Sequence, residues 1–317
     1  MGGALDPAVA TGRNLVRAAL QDLGPGSRLV VGVSGGADSL ALAAVTAFVA
    51  GREAYDVSAV VVDHQLQAGS AEVAARAADQ LATLGVEAQV VRVEVGTDGG
   101  PEAAARRARY QALQGARADA VLLAHTLDDQ AETVLLGLGR GAGPRSLAGL
   151  SAGDGVMRRP FLSLRRAQTE QICRAHQLTW WVDPHNCDPA FRRARIRAEA
   201  MPLLEDVLGG GVAEALARTA DQVRADSAHL DEIAAAVSEP LDVPTLLDLP
   251  PAVRSRTLRR TALAAGVDGS ALTSAHLGEL DRLVTGWHGQ VRIELPGGIA
   301  CTRVGDSLSY LPTPVGR

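Results

Sequence analysis

The chain of 317 residues contains no lysine, so every one of its 31 basic side chains is arginine. That absence removes whole mechanisms. A Walker A loop needs a lysine to reach the β- and γ-phosphates of a nucleotide, and Schiff-base or lysine general-base chemistry needs the amine itself. Cysteine is scarce too. Cys173, Cys187 and Cys301 are odd in number and show no C-x-x-C spacing, which supports neither a disulfide framework nor a zinc ribbon and reads as small packing side chains. No apolar run approaches the roughly 18 residues of a membrane span. The N-terminal M-G-G-A-L-D-P lacks the charged and apolar regions of a signal peptide, and Asp6 spoils a myristoylation site. A soluble, cytoplasmic protein with no membrane partner is the expectation. At 47% hydrophobic content the chain is long enough and apolar enough for two domains.

What is present is led by Ser34, Gly35, Gly36, Ala37, Asp38 and Ser39, directly after the apolar run 29–33. A buried strand running into two glycines lets successive backbone N–H groups converge on an anion, because glycine reaches the positive φ such a nest requires. Ser39 then opens an apolar segment whose first turn aims its free N–H groups and positive dipole end at the same spot. Asp38 is odd beside an anion unless it holds a metal. The G-x-G-x-x-G spacing of a dinucleotide site is missing, and Asp38 lies inside the loop rather than about twenty residues on, where a ribose-binding acid belongs.

The first half alternates β-branched runs (28–33, 57–63, 88–95, 119–124) with alanine-rich helical stretches (39–50, 70–85, 101–115, 127–138), the pattern of βαβ units. The fold class expected is α/β, a doubly wound and mostly parallel sheet. Such sheets bind ligands at strand carboxyl ends, where Ser34, Asp63, His64 and His125 sit. Residues 139–156 read as a mobile loop over that crevice. Helix resumes over 190–208 and breaks at 209–211, giving a catalytic domain 1–208 and a smaller, mainly helical α+β domain 209–317. The latter should hold a long amphipathic helix from Val212, two shorter helices (252–265, 273–285) and a hairpin about Pro296-Gly297-Gly298.

The net charge of −5 hides segregation. Residues 158–200 hold arginines 158, 159, 165, 166, 174, 192, 193, 195 and 197 against only Glu170, Asp183, Asp188 and Glu199, a local balance that suits RNA phosphates. After the fourth strand, H-T-L-D-D-Q-A-E-T (125–133) opens a helix on which Asp129 and Glu132 share a face, as do Asp128 and Glu132. With His125 they suit binding of a metal or an ammonium group.

Together, S-G-G-A-D-S, V-D-H-Q-L-Q (62–67), A-R-R-A-R-Y (105–110), H-T-L-D-D-Q-A-E-T, R-G-A-G (140–143) and W-V-D-P-H-N (181–186) resemble the tRNA(Ile)-lysidine synthetases, PP-loop ATP pyrophosphatases. The resemblance is close over about 27–205 and weaker beyond. It implies an ATP- and Mg²⁺-dependent ligase that adenylates the wobble cytidine of the CAU anticodon of tRNA(Ile) and displaces AMP with L-lysine. It implies nucleotide contacts from residues 34–39, Asp63 and His64, with Asp38 on Mg²⁺. Catalytic roles would fall to Asp38, His125, Asp129, Glu132, Arg106, Arg109 and Arg195, and tRNA contacts to Arg192, Arg193, Arg195 and Arg197. Trp180 and Trp181 could stack an anticodon base. Where the family has R-N-x-x-R this chain has Arg193-Ala194-Arg195-Ile196-Arg197, and the extra C-terminal domain of longer members is missing. A homodimer is left open. The alternatives are a tRNA thiolase, which needs reactive cysteines, a small-molecule synthetase, which leaves the arginine excess unexplained, and a non-catalytic nucleotide sensor, which has no use for acids at 128, 129 and 132.

Overall fold

The computed structural model describes residues 5–63, 65, 69–93, 101–115, 117–141, 143–184, 188–237, 242–289 and 292–313, without the side chains of 101–103, 105, 106, 114 and 154. His64 and the side chain of Arg106 lie outside these.

Asp6 caps the first helix, α1 (Pro7–Ala19), by accepting the Ala8 N–H at 2.8 Å. There follow β1 (Arg28–Val33), α2 (Ala37–Glu53), β2 (Asp56–Asp63), α3 (Ser70–Thr83), β3 (Glu87–Arg92), α4 (Pro101–Gln114), β4 (Ala120–Leu122) and α5 (Leu127–Gly139). The sheet order is β3-β2-β1-β4, extended by β6 (Met157–Arg158) and β5 (Gly153–Asp154). Strands β3 to β6 pair in parallel across that order and β5 closes the edge antiparallel to β6, so the expected doubly wound, mostly parallel sheet is present. Residues 139–156 are more ordered than a loop. They contain α6 (Pro144–Leu147) and β5, which pairs with β6 just beyond them, elements too short for their periodicity to show.

Strand β1 is apolar on both faces because both are covered. Leu29, Val31 and Val33 join the core under α1, α2, α3 and α7 (Arg166–Ala175), while Val30 joins Val60, Val62, Leu113, Val121 and Leu123 beneath α4. Helix α2 buries Leu40, Leu42, Val45 and Val49 completely, each contributing about 1.5–3 kcal/mol over exposure.

After α7 the chain enters a helical run: α8 (Arg192–Arg195), a π-turn at Ile196–Ala200, and α9 (Met201–Val207). The widened turn has a cause in Pro202, which has no N–H and whose ring crowds the carbonyl four residues back. The Met201 N–H reaches Ile196 O instead. Glycines 209–211, all at positive φ, turn the chain into α10 (Val212–Ala235), whose first amides are accepted by Glu205 at 3.1 and 3.2 Å.

Two compact units result, Met1–Leu136 with Leu150–Ala217, and Gly137–Gly149 with Arg218–Arg317. The second holds α11 (Val243–Asp248), α12 (Pro251–Ala264), α13 (Ser274–Thr285) and an antiparallel sheet of β7 (Ile293–Leu295), β8 (Ile299–Val304) and β9 (Ser307–Pro312). The Pro-Gly-Gly hairpin joins β7 to β8 with Gly297 and Gly298 at positive φ, and β9 adds a third strand. Its core is Val243, Leu246, Leu258, Leu280, Leu283, Leu295 and Cys301. Among the described residues no helix is long and apolar enough to cross a membrane.

Candidate active site

Strand β1 delivers its last residue to the point where the strand order reverses, β2 lying on one side and β4 on the other. Gly35 takes φ +81°, and a Cβ there would also press on Val73 Cγ1 at 3.1 Å. Gly36 is the N-cap of α2 and offers no side-chain acceptor, which leaves the amides of the first turn for an external anion. Ser39 ties the loop together. Its hydroxyl accepts from Ser34 N at 3.1 Å and donates to Gly36 O at 2.9 Å, while Trp181 N donates to Gly35 O at 2.9 Å.

Behind this loop lies an ion cluster. Asp38 accepts from the Thr169 hydroxyl and faces Arg166 Nε at 3.4 Å. Arg166 also reaches Asp129 at 3.1 Å and Glu132 at 4.0 Å, and its backbone N–H donates to Asp128 at 2.7 Å. Arg197 donates to Glu132 at 2.8 Å and lies 3.8 Å from Asp129, Arg193 lies 3.7 Å from Glu132, and Arg165 pairs with Asp128 at 3.4 Å. A cleft of about 200 Å³ opens between Asp128, Glu132, Arg166, Arg197, Met201 and Glu205.

The carboxyls are pushed apart in acidity. Burial raises the pKa of Glu132, with Arg197 opposing, and burial likewise raises that of Asp38. For Asp129 burial acts upward too, but Arg166, the Thr126 N–H, His125 and Arg197 together hold it below the usual carboxylate range. Glu132 Oε2 is buried with no hydrogen-bond partner among the described residues.

The structure therefore brings Asp38, Asp129, Glu132, Arg193 and Arg197 together, with His125 close enough to act on Asp129. Arg195 stands apart, exposed and paired with Glu199 at 2.8 Å, and Arg192 is also exposed. Asp63 is buried at the end of β2, where it accepts the Gln65 N–H at 3.0 Å and sits 4.0 Å from Arg92. Arg109 is half-buried on α4. Trp180 packs against the main core. Sequence reasoning passed over Arg166 and Thr169; R-R-A-Q-T after a Pro-Phe turn carries no local signal for partners 128 and 131 positions earlier. Cys173 is buried with its thiol pushed up to about 12 by desolvation, and Cys301 up to about 11, so neither is a ready nucleophile.

The chain is similar to known proteins in both of its regions. The profile described as a PP-loop domain matches residues 11–204, and one described as a TilS substrate binding domain matches 241–308. Relatives named tRNA(Ile)-lysidine synthase include those of Thermobifida fusca, 51% identical over 92% of this chain and 94% of that protein, and Salinispora tropica, 50% identical over 95% of each. That of Mycobacterium tuberculosis is 51% identical over 92% of this chain and 88% of its own length. Among solved structures, the U34-tRNA thiolase NcsA from Methanococcus maripaludis with its [4Fe-4S] cluster superposes with a TM-score of 0.58, covering 68% of this chain and 79% of its own. At 18% identity that likeness speaks for the fold alone. With half its residues shared with the named relatives along nearly its whole length, the chain belongs to the tRNA(Ile)-lysidine synthase family.

Proposed function

We propose that this chain is a cytoplasmic ligase that consumes ATP to activate the wobble cytidine of the CAU anticodon of tRNA(Ile) and joins L-lysine to it, releasing AMP and pyrophosphate. The observation that carries this reading is the meeting of an anion nest after β1 and an acid pair on the first turns of α5, within reach of one guanidinium. Residues 1–208 would run the ATP chemistry and residues 209–317 would hold RNA.

Cytosine O2 is a poor leaving group, so it is first made a better one. The O2 lone pair attacks the α-phosphorus of ATP, the bond to the β-phosphate breaks, and pyrophosphate departs into the nest at 34–39. Guanidinium forks suit the charge that builds on those oxygens. Arg193, Arg197, Arg106 and Arg109 are our candidates. A Mg²⁺ ion fits the donors present: it takes one or two carboxylates and leaves its other positions to water and phosphate. Asp38 would hold it: burial raises the pKa of this carboxyl against the opposing Arg166, and a cation bound there would relieve that cost. Bound there, the ion neutralises phosphate charge.

In the second step the lysine Nε attacks C2, the C2–O bond breaks, and AMP leaves. The amine must first lose a proton. At neutral pH only about one lysine in 2,500 is neutral, a cost of roughly 4.6 kcal/mol. The two acids divide this task. Asp129, held ionised, binds the ammonium, and Glu132, the more basic, accepts the proton as attack proceeds. Arg192 and Arg195, exposed on α8, would contact phosphates of the RNA, Arg195 by exchanging its partner Glu199.

The test is incubation with ATP, Mg²⁺, radiolabelled lysine and unmodified tRNA(Ile) bearing CAU, reading pyrophosphate release and label in RNA together. Label must depend on the tRNA; its absence rejects the reading. Glu132→Gln should lower label transfer by about 10²- to 10⁴-fold and pyrophosphate release far less. Equal losses would remove Glu132 from the second step.

A further inference from the structure

Arg166 reaches three of the site's carboxylates at 4.0 Å or less, Asp38, Asp129 and Glu132. Its backbone is pinned. The N–H donates to Asp128 at 2.7 Å, and the residue opens the first turn of α7. What can move is the side chain, and its partners lie in two places. Asp38 belongs to the nest at the end of β1, whereas Asp129 and Glu132 form the acid pair on α5.

A guanidinium resting on the acid pair competes directly with a substrate ammonium. Its hold is firm on Asp129, at 3.1 Å, and slight on Glu132, whose Oε1 is 4.0 Å away and takes the Arg197 bond at 2.8 Å, while the buried Oε2 faces Arg193 at 3.7 Å and has no hydrogen-bond partner among the described residues. An ammonium, with three donors, satisfies that oxygen better. On the other side, phosphate oxygens offer a guanidinium two parallel charge-assisted bonds, better than the single 3.4 Å contact with Asp38.

We propose that Arg166 is an exchangeable plug: without nucleotide it occupies Asp129 beside Glu132, and when ATP fills the nest beside Asp38 it transfers to the phosphates and frees Asp129 for the lysine ammonium, Arg197 and Arg193 staying on Glu132. This rests on the function proposed above. Arg166 then acts as a positioning residue that orders binding, ATP before lysine, and it does so because it interacts differently with the two occupancy states.

The test is a calorimetric titration of L-lysine into the full-length protein, with and without saturating α,β-methylene ATP and Mg²⁺ and with no tRNA present. Wild-type protein should bind lysine about tenfold more tightly with the analogue, a typical coupling between two sites. Arg166→Met should bind lysine more tightly than wild type in the absence of nucleotide, and its ratio should fall to about one. Equal lysine affinity of wild type in both conditions overturns the plug while leaving lysine as substrate. No lysine binding under either condition overturns the proposed function and the plug with it. An unchanged tenfold ratio in Arg166→Met assigns the coupling elsewhere. Where Arg166→Met does not fold, Arg166→Gln makes the same comparison.

Discussion

Asp38, Asp129 and Glu132 are neighbours in one ion cluster, yet folding affects their acidity in opposite directions. Asp38 and Glu132 bind protons more readily folded than unfolded, because burial penalises their charged forms. Their stabilising share is present below the ordinary carboxyl pKa and is lost as pH rises through the raised values. Asp129, lowered chiefly by Arg166 against its own burial, contributes stability above the ordinary range and loses it as pH falls through the lowered value. At neutral pH, Asp38→Asn should therefore raise the melting midpoint and Asp129→Asn lower it. A shift of about 2–4 °C in each direction corresponds to about 1 kcal/mol in a domain of this size. Shifts of the same sign in a thermal melt would refute the assignment. The acids of this cluster were legible because 125–133 is contiguous and its spacing places them on one helical face. Their cationic partners were only half legible: Arg193 and Arg197 stood out in a run of arginines, whereas Arg166 meets Asp38 through tertiary packing that no local pattern encodes.

At the scale of elements, long strands and helices announced themselves. The run 28–33 became β1 without change, and 70–85 became α3, since β-branched runs and alanine-rich stretches match the two backbone periods. Short elements did not. Helix α6 has four residues and β5 two, and each exists because of what surrounds it. Glycine spacing in α5 shows the dependence. A Cβ on Gly137 would lie 2.2 Å from the carbonyl oxygen of Ser146, just before Leu147 ends α6, while one on Gly139 meets nothing within 4 Å. Gly137→Ala should cost about 1–3 kcal/mol, overlap outweighing helix propensity, and Gly139→Ala should be stabilising by up to about 1 kcal/mol. Urea midpoints at unchanged slope would separate the two. Within the same unit, Arg145 fastens α6 to Asp231 with two bonds of 2.7 and 2.8 Å.

For the whole molecule, the net charge of −5 is a poor guide to an RNA partner, because the positive charge that matters is concentrated. Much of it is already spoken for inside the protein: Arg193 and Arg197 face Glu132 and the exposed Arg195 pairs with Glu199, whereas Arg192 is exposed to solvent. Affinity for tRNA should fall steeply with salt, and Arg192→Gln should reduce the log–log slope by somewhat under one, as loss of a phosphate contact requires. Filter binding across a salt series measures it, and an unchanged slope would take Arg192 out of the interface.

The cations around Glu132, namely Arg166, Arg193 and Arg197, are all guanidinium groups. Guanidinium keeps its proton at any physiological pH and so has no lone pair to offer a carbon electrophile. An amine side chain in the same place would share the chemistry of the substrate it helps to bind. It could attack the activated base itself and end each turnover as a protein–RNA crosslink. In a chain with no lysine anywhere, an activated cytidine would meet no side-chain amine except, under the function proposed above, the one that the acid pair would admit.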